Sequence, residues 1–302
     1  MITCLGLAPA LDVTYAVPAL ALGAIHRPSS TLRLSGGKSL NVARALRTLD
    51  VAATAIVPLG GPIGDLVRDG LEAEGIPAKI VSTSAPTRMC VSIVDETNAA
   101  MTEVYEQAPP IDDDDWRGIL ALVADVDEGW LAVSGAIPAA RETDLATALA
   151  AVAARGVRLA LDVRGGALRE TLARTRPELV KINRAEAEET FGTGDAAALA
   201  HLLHDAGAAA AIVTDGPGGS VAVDRTGASR VQPPVRGRYT VGSGDSFLAG
   251  LLASLSRGGS LPDALRAATG VAAANTLVRG AARFDAAEAT RLAALVTLTS
   301  AG

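Results

Sequence analysis

Residues 157–214, VRLALDVRGGALRETLARTRPELVKINRAEAEETFGTGDAAALAHLLHDAGAAAAIVT, decide the fold. Three short apolar runs, Val157–Leu161, Leu179–Ile182 and Ala209–Thr214, are separated by longer stretches in which Ala, Leu and Arg recur at helical spacing. Short, mostly apolar runs of this length read as strands buried on both faces, and the intervening segments as the helices that cover them. Working outward, the same rhythm covers Ile2–Ala8 (strand), Asn41–Leu49 (helix), Ala52–Pro58 (strand), Ile63–Glu74 (helix) and Trp130–Val133 (strand). This repeated βα alternation predicts an α/β fold with a mostly parallel sheet flanked by helices.

Two regions break the rhythm. Polar and apolar residues alternate over Val13–Val17 with Thr31–Leu34, and over Arg88–Val94 with Met101–Glu106. A period of two predicts strands with one apolar face, so these segments are expected to form a small accessory sheet within about residues 12–35 and 88–107. A sheet of that size is marginal alone and has to cover something: a cleft in the main body, or its own copy in a second subunit. A lid that also dimerises is the economical expectation, within one domain spanning residues 1–302. The acidic run Asp112–Asp115 reads as a helix start, where carboxylates favour the positive end of the helix dipole, rather than as a metal site.

Composition narrows the function classes. The 302 residues are 49% hydrophobic and 20% charged, enough for a large core, and the aromatic content of 3% makes that core aliphatic. A net charge of -6 argues against a nucleic-acid footprint, which needs clustered Lys and Arg. Cys4 and Cys90 are too few and too isolated for a disulfide framework or a zinc cluster. The N-terminus lacks a basic leader and meets Asp12 early, and no apolar run reaches spanning length, so a cytoplasmic protein with no membrane partner is expected.

Four stretches carry chemistry. Tyr239–Gly250, YTVGSGDSFLAG, is a small-residue turn running into an apolar helix. Gly242, Ser243 and Gly244 let backbone N–H groups converge at a helix N-terminus, which stabilises an anion, and Asp245 stands where it could accept a proton from an attacking hydroxyl. Alone, the string reads first as a turn with an N-cap. The second stretch, Ser35–Arg44, SGGKSLNVAR, lacks the glycine spacing of a P-loop, but Gly37 permits close approach of a substrate, and Lys38 and Asn41 offer a cation and an amide. Lysine is scarce in this chain, and Lys38 and Lys181 both lie inside candidate motifs. In the third, Lys181–Glu186, Asn183 and Glu186 share one side of a first helical turn. They could serve a hydrated Mg²⁺, or simply form a capping box. The fourth, Thr214–Gly219, follows a strand. Gly216 and Gly219 would let a nucleotide lie against the backbone, or would make a hairpin turn.

In this order and spacing the four stretches resemble the ribokinase-like (pfkB) carbohydrate kinases over essentially the whole chain. APALD at Ala8–Asp12, GGKSLNVARAL at Gly36–Leu46, GIP at Gly75–Pro77, Arg88, TEVYEQAPPI at Thr102–Ile111 and SGAIP at Ser134–Pro138 are similar to the 1-phosphofructokinase and tagatose-6-phosphate kinase branch. The resemblance implies a ribokinase-like sandwich with a β-sheet lid and transfer of phosphate from ATP, with Mg²⁺, to a hydroxyl of a hexose phosphate: fructose 1-phosphate, fructose 6-phosphate or tagatose 6-phosphate. It implies Asp245 as catalytic base and Gly242, Ser243 and Gly244 as anion hole. It places Lys181, Thr214, Gly216, Gly219 and Asn275 at the nucleotide, and Asn183 and Glu186 at Mg²⁺ through water. Asp12, Gly37, Lys38 and Asn41 would meet the sugar, while Arg88, Lys38 and Ser134 would hold its phosphate, Arg88 through its planar fork. The family's opening Asn-Pro is Ala8-Pro9 here, and its usual glycine after GGK is Ser39, both on the sugar side. Two other readings stand beside this one: a kinase of an unphosphorylated sugar or nucleoside, which leaves Lys38 and Arg88 without a reason, and a catalytically silent sugar-phosphate sensor, against which Asp245 weighs. A nicotinamide dehydrogenase would need a GxGxxG turn that Leu5–Pro9 does not provide.

Overall fold

The computed structural model describes residues 1–98 and 100–300, so the expected domain of residues 1–302 includes positions 99, 301 and 302, which lie outside the described residues. The chain opens with β1 (Ile2–Leu5), makes a detour through β2 (Ala10–Val17) and β3 (Ser30–Gly36), and returns through α1 (Lys38–Thr48), β4 (Ala53–Leu59), α2 (Gly61–Ala73) and β5 (Ala78–Ser82). A second detour, β6 (Arg88–Asp95) and β7 (Met101–Tyr105), precedes α3 (Asp113–Ala124) and β8 (Trp130–Ser134). Regular βα units follow: α4 (Glu142–Ala153), β9 (Arg158–Asp162), α5 (Gly165–Arg174), β10 (Leu179–Asn183), α6 (Arg184–Phe191), α7 (Ala196–Asp205) and β11 (Ala210–Thr214). The chain ends with β12 (Ser220–Asp224), β13 (Gly227–Val231), α8 (Ser243–Ser256), α9 (Leu261–Asn275), α10 (Ala286–Ala293) and β14 (Leu298–Ser300).

The main sheet runs β14-β13-β12-β11-β10-β9-β8-β1-β4-β5, parallel from β5 to β11 and antiparallel beyond. From β1 the chain builds outward to β4 and β5 on one side and, later, from β8 onward on the other. The order therefore reverses between β1 and β8, and at such a reversal a crevice opens beyond the carboxyl ends of the strands. Side chains alternate between two cores. Leu159 and Leu161 of β9 join α3–α7 on one face, while Ala160 joins α1, α8 and α9 on the other. The same alternation aims Asp162 and Lys181 at the α8 side, because each follows its strand's inward-facing residue, Ala160 or Leu179, by two positions.

Both detours form one small sheet, β3-β2-β6-β7, with β2 and β6 parallel between antiparallel edges. Strands β2 and β3 are longer than the alternating runs, since pairing carries β2 back to Ala10 and β3 on to Gly36, whereas β7 stops one residue short of Glu106. Helix α1 starts at Lys38, three residues earlier than expected from periodicity, with Gly37 as its N-cap. Asp112 caps α3 by accepting from Asp115 N–H at 2.8 Å, the helix-start role expected of the acidic run. The antiparallel strands β12–β14 at one edge were not anticipated in the βα rhythm. Their hairpin turn, residues 216–218, makes the Thr214–Gly219 stretch a hairpin as well as part of the site wall.

Candidate active site

A cavity of about 720 Å³ lies between the carboxyl ends of β1, β8, β9, β10 and β11, the N-termini of α1 and α8, and the small sheet. It gathers Asp12, Gly37, Lys38, Asn41, Arg88, Ser134, Lys181, Asn183, Glu186, Thr214, Gly216 and residues 242–245 from segments far apart in sequence.

The floor is the N-terminus of α8. Gly242 is its N-cap with φ 76°, a left-handed conformation that L side chains rarely adopt, and a Cβ there would stand 2.6 Å from Ala282 N. Ser243 N–H donates to Thr240 O at 3.1 Å and Ser246 N–H to Gly242 O at 2.8 Å, which leaves the N–H groups of Gly244 and Asp245 without a backbone acceptor among the described residues. These are the orphan donors of a first helical turn, and the helix dipole adds to them. Asp245 is buried and accepts from Asn41 Nδ2 at 2.8 Å. Burial and the nearby Asp162 carboxylate push its pKa up, while Lys38, Lys181 and the Asn41 hydrogen bond oppose them.

Under that turn lies an ion-pair cluster that sequence reading did not assemble. Asp162, fully buried, takes Lys181 Nζ at 3.1 Å and Lys38 Nζ at 3.3 Å, and Lys38 also pairs with Glu186 at 3.0 Å. Burial alone would raise the Asp162 pKa; the two lysines overcome this and hold it below the ordinary carboxylate range. Burial would lower that of Lys38, but Asp162 and Glu186 reverse this and keep it protonated. Lys181 is almost wholly buried beneath Gly244, whose added Cβ would come within 3.0 Å of its Nζ. Asp162 closes β9 two positions after Ala160, a placement that becomes legible only with the sheet register.

On the roof, Asp12 fits against Gly36, where a Cβ would fall 2.0 Å from the Asp12 Cγ. Burial lifts the Asp12 pKa to about 6; Arg44 and Arg88 lower it, Asp245 raises it further, and a hydrogen bond from Gly37 N–H lowers it. Arg88 does not present its fork to the cavity as expected. Its two Nη atoms donate to Glu106 O and Ala8 O, each at 3.0 Å, because these carbonyls at strand ends lie within reach, and only the buried Nε is left without a partner. Ser134 Oγ is likewise buried and without a partner among the described residues. Two orphaned donors in one cavity are expensive unless a ligand takes them up.

Asn183 and Glu186 line the cavity and also form the capping box of α6: Glu186 N–H donates to Asn183 Oδ1 at 2.8 Å, and Asn183 N–H to Glu186 Oε2 at 3.4 Å. A side cleft of about 100 Å³ opens between Thr214, Gly216, Gly219, Phe247, Thr269 and Ala272. Asn275, expected at the nucleotide, is not among the residues lining this cleft. It is fully buried, with Nδ2 donating to Val241 O at 3.0 Å and Tyr239 O at 3.4 Å and Oδ1 accepting from Ser246 Oγ at 3.3 Å. From the C-terminus of α9 the side chain thus ties down the loop that feeds α8.

The cavity thus sits at the switch point of a mostly parallel sheet, under a small second sheet, with a buried Asp in the first turn of the helix at its floor. The chain belongs to the pfkB family of carbohydrate kinases, whose model matches residues 1–287. It is 30% identical over 285 residues to ATP-dependent 6-phosphofructokinase isozyme 2 of Escherichia coli K12, covering 91% of this chain and 92% of that one. It is also 30% identical over 275 residues to 1-phosphofructokinase of Bacillus subtilis 168, covering 88% and 89%. The structure of Escherichia coli phosphofructokinase-2 in complex with substrates and products superposes with a TM-score of 0.89 at 28% identity, over 98% of each chain.

Proposed function

We propose that this carbohydrate kinase transfers the γ-phosphate of ATP to a hydroxyl of a hexose phosphate, with fructose 1-phosphate, fructose 6-phosphate and tagatose 6-phosphate as the acceptors to test. The observation that carries this reading is the single cavity in which Asp245, at the start of α8, faces the cations Lys38 and Arg88 and the orphaned donors Arg88 Nε and Ser134 Oγ. A phosphate on the acceptor would take up the Arg88 Nε and Ser134 Oγ donors together, beside the Lys38 cation.

In this reading the acceptor hydroxyl lies against Asp245. As its oxygen bonds to the γ-phosphorus, its proton passes to the Asp245 carboxylate and the bond from phosphorus to the bridging oxygen breaks, releasing ADP. The N–H groups of Gly244 and Asp245, with Lys181 beneath them, meet the charge on the transferring phosphoryl group. A carboxylate whose pKa is raised by burial is a better proton acceptor than an ordinary one. Asp12, Gly37, Asn41 and Lys38 hold the sugar side, and Thr214, Gly216 and Gly219 the nucleotide side, with the base in the cleft beside Phe247 and Ala272. The donor set fits a water-held Mg²⁺. Glu186 offers carboxylate oxygens at the cavity edge and Asn183 stands beside it, but both are also engaged in the cap, which suits contact through water. Mg²⁺, bound with ATP, would neutralise charge on the nucleotide's phosphates. The small sheet acts as lid over the sugar and as a homodimer surface. Among the described residues no helix is long and apolar enough to cross a membrane, and a cytoplasmic setting accords with the substrates proposed.

The test is an acceptor screen at fixed MgATP, using the three phosphohexoses and their unphosphorylated parents, on the wild type and Asp245→Asn. A phosphohexose should win, and the variant should lose ~10²–10⁴-fold in kcat while still binding ATP. Preference for an unphosphorylated parent, or a near-normal kcat in the variant, would overturn the reading.

A further inference from the structure

Arg44 belongs to none of the roles above, yet it is only 6% exposed on α1, one turn beyond Asn41. A buried guanidinium persists only where its donors are taken up, and here they are. Nε donates to Glu74 Oε2 at 2.5 Å, and Nη2 to Glu74 Oε1 at 3.0 Å and Ser35 O at 2.6 Å. Nη1 donates to Asn41 Oδ1 at 3.0 Å and to Ala281 O at 3.4 Å. One side chain thus joins the residue after α2, the end of β3 and the segment that packs against Gly242.

Its consequence runs through Asn41. The two ends of an amide differ only in which is donor and which is acceptor. With Oδ1 held by the guanidinium, Nδ2 is the end that faces Asp245, and it donates to Oδ2 at 2.8 Å. The opposite orientation would set a carbonyl oxygen against a carboxylate and an NH₂ group against a cation, both repulsive. The cation therefore orients the amide, and the amide occupies one oxygen of the carboxylate, leaving Oδ1 for an incoming proton.

We infer that Arg44 is a positioning residue for phosphoryl transfer: through Asn41 it selects the Asp245 oxygen that takes the acceptor's proton and helps to keep that carboxylate deprotonated. The inference rests on Asp245 being the base. Asp245 is also faced by Lys38 from α1, Asp162 from β9, Lys181 from β10 and Asp12 from β2, and Arg44 by Glu74 and Asp12. None of these other groups is altered in a variant confined to Arg44 or Asn41.

The experiment is kcat against pH for the wild type, Arg44→Lys, Asn41→Ala and the double variant, with Asp245→Asn alongside. Lysine keeps the positive charge but cannot reach Glu74, Ser35 and Asn41 together, because it has one nitrogen instead of a planar fork. Losing a hydrogen bond to the charged form raises a carboxylate's pKa. The acid limb of kcat in Arg44→Lys should therefore move to higher pH by about one unit, with KM for ATP unchanged. Asn41→Ala should move it equally, and the double variant no further. An unmoved acid limb in Arg44→Lys, or shifts that add, would overturn the inference, since a purely structural arginine would lower kcat or Tm without moving the limb. Should Arg44→Lys fail to fold, Glu74→Gln carries the same expectation with a smaller shift, and an unmoved limb there overturns it equally. An active Asp245→Asn would instead remove the base itself, so the two failures are distinguishable.

Discussion

Asp245 and Asp12 both face the cavity, and burial pushes the pKa of each up. Asp245, in the first turn of α8, accepts a hydrogen bond from Asn41, and Asp12, half-buried on β2, has its pKa lifted to about 6. A carboxyl whose folded pKa lies above its unfolded value binds its proton more tightly in the folded state. Stability is then lost as pH rises from the unfolded value, near 4, through 6, and stays lower above that. Asp12→Asn removes the charge in nearly the same volume. At pH 7.5 it should raise Tm by a few degrees, on the order of 1–3 kcal/mol, and the gain should fade to nothing near pH 4, while KM for the phosphohexose rises. Calorimetry at both pH values checks this, and an equal gain at both would show that a buried charge is not the cause. Asp12 could be singled out in the sequence because it closes a recognisable motif. Asp162 and Arg44 could not. An Asp at a strand end and an Arg on an amphipathic helix look solvent-facing until the sheet register sets one beneath α8 and Glu74 closes over the other.

Elements carry the anion site, and α8 allows it to be tested at both ends. Gly242, before its first turn, has φ 76° with Ala281 and Ala282 backbone atoms 2.6–2.7 Å from a would-be Cβ. Gly258, just past its last turn, has φ 83° with nothing within 4 Å. Both glycine-to-alanine changes incur the left-handed penalty of about 1–2 kcal/mol, but only at 242 must backbone shift. Gly242→Ala should therefore lower kcat by ~10²–10³-fold as the N–H groups of Gly244 and Asp245 leave their positions, while Gly258→Ala lowers Tm and leaves kcat within about twofold. Equal kcat in the two variants would show that the α8 N-terminus does not form the phosphoryl cradle. The sequence disclosed this helix start, because its glycines precede an apolar run. It did not disclose which side chain holds the loop in place: Asn275 comes from α9 and can be recognised only once α9 packs on α8.

At the scale of the whole molecule, the βα rhythm and the period-two detours were readable because each depends on local patterning, whereas the antiparallel edge β12–β14 depends on pairing between distant segments. The small sheet is expected to serve as both lid and dimer surface, and its two faces differ in exposure. Cys90, Ser92 and Val94 of β6 are buried toward the body, while Met89, Val91 and Ile93 on the opposite face are only partly covered. Register continues that outer row from Val13 through Val91 to Val104, which is 61% exposed on the edge strand β7. Helix α2 shields the inner part, where Leu11 and Val13 pack with Val67 and Leu71, but not the β7 end. An apolar row ending at an unpaired edge is self-complementary for a second copy related by a two-fold axis. Val104→Lys places a charge in the middle of that contact. Light scattering at micromolar concentration should show the wild type as a dimer or a multiple of it and the variant as a monomer, with KM for the sugar raised and KM for ATP little changed, because the lid loses its brace while the nucleotide side does not touch it. A variant that keeps the wild-type mass would place the subunit contact elsewhere and leave the small sheet as a lid alone.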